Sequence, residues 1–138
     1  MDKTILKKMK FKEGMTTLIL YASPEYPNFE DFSSAEDTED DNYNFVHLFV
    51  TSKAEFCQRF PESIDAVSKD GLLWISYPKS DKKQKYDINR DSLWSLVLPL
   101  GWHPVAQVSL DENWSAIRLK QNEPGVEYKM PGNTKKKE

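Results

Sequence analysis

Three short, almost unbroken apolar runs constrain the fold of this chain more than any other feature. They are Thr16-Thr17-Leu18-Ile19-Leu20-Tyr21, Phe45-Val46-His47-Leu48-Phe49-Val50-Thr51 and Leu72-Leu73-Trp74-Ile75-Ser76-Tyr77. Turn residues bound them: Gly14 precedes the first run, Ser23-Pro24 follow it, and Pro78 stops the third. Runs of this length without polar alternation read as strands buried on both faces, the habit of parallel sheets. Helical signals fill the gaps. Ser52-Lys53-Ala54-Glu55 has the spacing of a capping box, and Phe56, Phe60, Ile64 and Val67 then recur on one helical stripe. Pro61 is expected to kink or split that helix, because it removes a donor and crowds the preceding turn. Gly71 is expected to close it. A second helix is expected from about Asp91 to Leu98, ending near Pro99 and Gly101. Val105–Leu110 and Trp114–Leu119 flank the polar triplet Asp111-Glu112-Asn113, which predicts an antiparallel hairpin. Strand and helix alternate, so the class is α/β with a mostly parallel sheet ending in that hairpin.

Length and charge set the bounds. The 138 residues suit one domain. It is expected over 1–120, with an acidic flexible loop at about 28–43 and a disordered polar, basic tail over 121–138. No apolar run approaches the ~20 residues of a membrane span, and no signal peptide is legible; a cytoplasmic location is expected. The net charge of −3 is a sum over unlike blocks. Residues 1–13 carry five lysines against Asp2 and Glu13, whereas residues 25–41 carry eight acids and no base. Both blocks are expected as charged margins of the core. A mildly acidic chain is no general nucleic-acid binder. Its single cysteine, Cys57, excludes an intramolecular disulfide and a cysteine-based zinc site, and is expected as a small core residue on the first helix.

The order strand, strand, helix, strand, helix, hairpin resembles the second half of a Rossmann-like methyltransferase fold. Three segments also resemble a small bacterial family of uncharacterised proteins, a domain of unknown function. They are Val46–Ser52, Gly71–Lys79, and Asp87–Asp91 through Pro104–Val108 to Trp114–Arg118. The resemblance covers roughly residues 10–120. It implies a reduced Rossmann-like three-layer sandwich and carries no established activity with it. One departure matters: methyltransferases place a glycine-rich turn after the first strand, so that backbone approaches the cofactor closely. Here Tyr21-Ala22-Ser23-Pro24-Glu25-Tyr26-Pro27 has no glycine and two prolines.

Sites in open α/β sheets lie beyond the carboxyl ends of the parallel strands. Those ends nominate Ser23 and Tyr26, then Thr51 and Ser52, then Tyr77, Pro78 and Lys79. The lysine-rich loop 79–85 is suited to an anion, and the helix start at Asn89-Arg90-Asp91 adds donors. Asn89 or Asp91 is suited to capping, and Arg90 to an ion pair or a bidentate grip on a ligand; Arg118 invites the same two readings. The expected ligand-binding set is therefore Ser23, Tyr26, Ser52, Tyr77, Lys79, Asn89, Arg90 and Asp91. No catalytic residue is assigned: His47 lies inside a strand, His103 lies at the opposite sheet end, and no nucleophile motif accompanies either. The acids of 25–41 lack the spacing of a calcium loop, so no metal is expected. The four tryptophans are expected in the core. The function expected from these readings is a non-catalytic binding or interaction module without a cofactor, a monomer or weak dimer that takes a protein partner or a small anion. The alternative is a minimal or degenerate S-adenosylmethionine-dependent methyltransferase.

Overall fold

The computed structural model describes residues 3–12, 14–21, 43–81 and 83–129. Ser23, Tyr26 and the acidic stretch 25–41 lie outside these. The elements are α1 (Lys3–Lys8), β1 (Thr17–Leu20), β2 (Tyr43–Phe49), α2 (Lys53–Ala66), β3 (Val67–Pro78), α3 (Arg90–Val97), a 3-10 turn (Leu98–Leu100), β4 (Trp102–Ser109) and β5 (Trp114–Gln121).

The strands form one five-stranded sheet in the order β1-β2-β3-β5-β4. β1 pairs with β2, and β2 with β3, in parallel; β3–β5 and β4–β5 are antiparallel. The expectation of a mostly parallel sheet is thus corrected to two parallel and two antiparallel pairs. The cause is local. The short turn after Ser109 can only return the chain antiparallel, and β5 then takes the open edge of β3, leaving β4 outermost. Pro104 is tolerated in β4 because that strand is an edge, and the β4–β5 register shifts beside it.

Right-handed crossovers that advance in one direction place their helices on one face. Accordingly, Phe56 and Phe60 of α2 and Leu93 and Val97 of α3 share a core with Val46, Leu48, Leu73, Ile75 and Ile117. The buried stripe of α2 is Phe56, Phe60, Ser63 and Ala66, so the second half of the expected stripe, Ile64 and Val67, is displaced by one position toward the N-terminus. Cys57 falls one position off the stripe and is exposed, correcting its assignment to the core. Pro61 does not split α2, which runs unbroken across it. Pro61 and Cys57, whose carbonyl the proline leaves without its helical donor, are both exposed, so the interruption lies on the solvent side of the helix.

Gly71 does not close the helix either. It lies within β3, where the register jumps from Tyr43↔Val67 to Phe45↔Leu72. A Cβ at Gly71 would sit 2.8 Å from the Tyr43 carbonyl oxygen and 2.7 Å from Ser68 Oγ. Backbone cannot retreat as a flexible side chain can, so Gly71→Ala is expected to destabilise the protein by about 1–3 kcal/mol through overpacking. Urea denaturation measures it, and an unchanged midpoint would refute this reading of the bulge.

The opposite face of the sheet holds Phe45, Phe49, Trp74, Leu110, Trp114 and Ala116, together with Met9, which is wholly buried. Ile5, Phe11 and Met15 pack against this group, and the Trp74 indole donates to the Met9 carbonyl at 3.1 Å. The N-terminal segment is therefore the third layer of the sandwich, which corrects its reading as a charged margin. Its lysines at 7, 8 and 10 point to solvent while its apolar residues turn inward. Trp74, Trp94 and Trp114 are buried and Trp102 is half-buried. Beyond β5 the Asn122 amide donates to the Gly101 carbonyl at 2.8 Å, and Tyr128 stacks on His103 with centroids 3.8 Å apart. The expected tail is thus in contact with the sheet as far as Tyr128, and residues 130–138 lie outside those described. Among the described residues no helix is long and apolar enough to cross a membrane.

Candidate functional site

The three parallel strands deliver Tyr21, Thr51 and Lys79 to one end of the sheet. A cavity of about 400 Å³ opens there, lined by Thr51, Pro78, Lys79, Asp81, Gln84, Tyr86, Asn113 and Trp114. That volume falls within the range of small-molecule sites. Two aspartate-nucleated turns build its walls. Asp81 Oδ1 accepts from the Lys83 and Gln84 amides at 2.8 and 2.7 Å, and Asp111 Oδ1 accepts from the Asn113 and Trp114 amides at 2.7 and 2.9 Å. Short polar side chains that bond backbone two or three residues on hold such turns without secondary structure. The Lys79 amide then joins the two walls by donating to the Asn113 carbonyl at 2.8 Å.

A second cluster lies beside the cavity, where β1 and β2 end. Tyr21 takes the left-handed conformation, φ +58°, uncommon for a residue with a side chain. The phenol lies against α2. Its hydroxyl donates to Glu62 Oε1 at 2.8 Å, and the Arg59 guanidinium sits 4.1 Å over the ring. The bond to Glu62 raises the phenol pKa. Arg59 also donates to the Phe49 carbonyl at 3.2 Å and pairs with Glu55 at 3.4 Å. Glu55 in turn accepts from the Thr51 amide at 2.7 Å and the Thr51 hydroxyl at 2.8 Å. Partial burial opposes the charge on Glu55, but the two bonds from Thr51 and the charge of Arg59 outweigh it and hold the carboxyl below its ordinary range. The capping box is thus displaced: Ser52 Oγ accepts from the Glu55 amide at 3.0 Å, while Glu55 reaches back to Thr51 rather than to Ser52. As a result Thr51, which lines the cavity, is fixed from behind.

The expected site residues are distributed as follows. Ser52 caps α2. Tyr77 is buried, its hydroxyl accepting from Gln107 Nε2 at 2.9 Å, and burial raises its pKa. Lys79 lines the cavity, but its ammonium donates to Ser109 Oγ and the Asp111 carbonyl, both at 2.6 Å. Asn89 caps α3 in a reciprocal box with Ser92, and Arg90 pairs with Asp91 at 3.3 Å. Arg90 lines a separate cleft of about 280 Å³ between α3 and β4. The structure therefore brings Thr51 and Lys79 together at one mouth and sets Asn89, Arg90 and Asp91 apart on the next helix. Sequence reasoning missed Tyr21, Glu55, Arg59 and Glu62 as a group. Their one legible signal is the four-residue spacing of Glu55 and Arg59 on a helix that starts at a strand end.

His47 is wholly buried on the N-terminal face, stacked on Phe49 with centroids 4.4 Å apart and bonded through Nε2 to Ser76 Oγ at 2.5 Å. Burial pushes its pKa down to about 3, so the ring is neutral at physiological pH. Water does not reach the pair, which makes it a cross-strand brace. Among the described residues no three His, Cys, Asp or Glu side chains converge as metal ligands do.

No family model and no curated protein matches the chain. Solved structures do match it. The PH0226 protein of Pyrococcus horikoshii aligns over 87% of this chain and 87% of its own, at 11% identity and a TM-score of 0.52. A LepI variant in complex with SAH (S-adenosylhomocysteine) and a substrate analogue aligns over 87% of this chain and 39% of its own, at 9% identity and a TM-score of 0.51. A ribosomal protein methylase from Lactobacillus delbrueckii subsp. bulgaricus aligns over 67% of this chain and 46% of its own, at 8% identity and a TM-score of 0.43. The fold is the one shared with the PH0226 protein and the SAH-bound LepI variant. At these identities the likeness is one of architecture, and the chain spans 56% of a DhpI–SAH complex, 46% of the methylase and 39% of the LepI variant, less than two thirds of each. The expectation that the chain takes no cofactor is corrected by this finding, since the architecture is shared with a protein solved with SAH bound. That expectation rests on the missing glycines after β1, where Tyr21, a residue with a side chain, takes the positive φ that glycine otherwise supplies.

Proposed function

We propose that this chain is an S-adenosylmethionine-binding domain of the methyltransferase class, with the cofactor seated at the carboxyl ends of β1 to β3. The observation that carries the reading is the 400 Å³ cavity at that end of a sheet whose architecture is shared with an SAH-bound structure. It replaces the reading as a non-catalytic module. The lining suits the cofactor chemically. Tyr86 and Trp114 offer aromatic faces to an adenine ring or a sulfonium cation. Asp81, Gln84 and Asn113 offer acceptors and donors for ribose hydroxyls and the amino-acid end. When bound, the cofactor supplies an electrophilic methyl group. The residues of this chain bind and orient: Thr51 is held by Glu55, Lys79 ties the cavity loop to the hairpin, and the two aspartate turns set the walls.

Calorimetric titration of the full chain with S-adenosylmethionine and with S-adenosylhomocysteine tests the proposal. Saturable heat accompanied by a change in Trp114 emission is the expected result. Thr51→Val removes the hydroxyl held by Glu55 and is expected to weaken binding by about tenfold, equivalent to one hydrogen bond of ~1.4 kcal/mol. No heat from either compound at millimolar concentration would sink the reading.

A further inference from the structure

We propose a second ligand site at the opposite, amino-terminal end of β3, built to take a small oxyanion, a phosphate or carboxylate group, on Arg118. A cavity of about 300 Å³ lies there, with Lys69, Asp70, Gly71, Trp102, Arg118 and Lys120 among its lining residues. Three strands meet at it: the start of β3, the start of β4 and the end of β5. Its charged lining is three cations against one carboxylate. Asp70 forms no ion pair with any of the three among the described residues, whereas the other two described arginines each have an acidic partner, Arg59 with Glu55 and Arg90 with Asp91. Arg118 is half-buried in the last strand, and its Nε is buried with no hydrogen-bond partner.

An unbonded guanidinium N–H withdrawn from water is unfavourable, and native proteins rarely leave one without a partner. An anion is the partner that matches it, because the planar fork of arginine presents paired donors to the oxygens of a carboxylate or phosphate. Lys69 and Lys120 are exposed and add long-range attraction at the rim. Gly71, needed where β3 passes the Tyr43 carbonyl, also leaves that wall without a side chain. Trp102 also borders the cavity. Burial also lowers the pKa of Arg118, in accord with a guanidinium partly out of water. The site faces away from the cavity at the carboxyl ends, so it stands or falls independently of the cofactor.

Titration of inorganic phosphate, and separately of acetate, into the isotope-labelled full chain at low salt tests it by NMR. The expected result is saturable movement of the Arg118 Nε–Hε resonance and of the Gly71 and Lys120 amides, with the stronger of the two anions naming the oxyanion class. Arg118→Gln is expected to weaken that binding about tenfold, and Asp70→Asn to tighten it about threefold by removing the one opposing charge. Should Arg118→Gln fail to fold, Lys120→Gln at an exposed position keeps the test open, with an expected loss of about threefold. Shifts that never saturate, that persist unchanged in these variants, or that spread equally over the lysines of α1 would overturn the proposal as general screening. So would silence at Arg118 with both anions.

Discussion

Taking the protein from pH 6.5 to pH 3 is expected to remove roughly 4–5 kcal/mol of folding stability through His47 alone, at 1.36 kcal/mol per pKa unit. The sign follows from the direction of the shift. Burial lowers the folded pKa from 6.5 to about 3, so between these values the unfolded chain binds a proton that the folded chain refuses. Stability therefore rises with pH across this window and is lost as pH falls through it. Urea denaturation of wild type and His47→Gln at pH 7, 5 and 4 reads the effect, because the variant has no imidazole to protonate. The gap between the two proteins should shrink as the solution is acidified. Parallel pH profiles, or an imidazole that titrates by NMR near pH 6, would refute the buried neutral ring.

Met9→Ala is expected to cost about 2–5 kcal/mol, the range for emptying a fully buried methionine site. Met9 is 0% exposed and lies against Trp74 at the centre of the N-terminal face. Lys8→Ala, one residue away and exposed, is expected to stay within about 0.5 kcal/mol of wild type. Denaturant midpoints for the pair decide the matter. If both variants match wild type, the N-terminal segment is no third layer. Hydrogen exchange at the Trp74 indole gives a second reading, since its proton is held by the backbone carbonyl of residue 9 and should exchange faster as the variant's N-terminal segment loosens.

Much of the fold was legible because it is set by short-range rules. The three apolar runs all became strands, and the Asp111–Asn113 triplet became the hairpin turn. Ser52 and Asn89 became the caps of α2 and α3, since capping needs only residues a few positions apart. Expectations failed where a neighbour distant in sequence intervened. Gly71 reads as a helix stop, yet it serves a close approach to Tyr43. The N-terminus reads as solvated because lysines dominate its composition, yet Ile5, Met9, Phe11 and Met15 meet a sheet face that does not exist until β1 to β3 have paired. Cys57 reads as core, yet one helical step of about 100° carries it to the surface.

The site divides in the same way. That it should lie beyond the strand ends follows from a parallel sheet in general, and Thr51 and Lys79 were reachable on that ground. The grouping of Tyr21 with Arg59 and Glu62 was not, because a left-handed residue after β1 and a helix turn forty positions later carry no shared local signal. By itself the amino-acid sequence determined the type of β1 to β5, α2 and α3, the two helix caps and the hairpin, all matters of periodicity and of contacts within a few residues. Only the tertiary structure decided which face the N-terminal segment covers, that β5 separates β3 from β4, and which polar groups meet at each end of the sheet. Those outcomes depend on which apolar surfaces remain open after pairing, and pairing across 24 or more residues leaves no trace in local spacing.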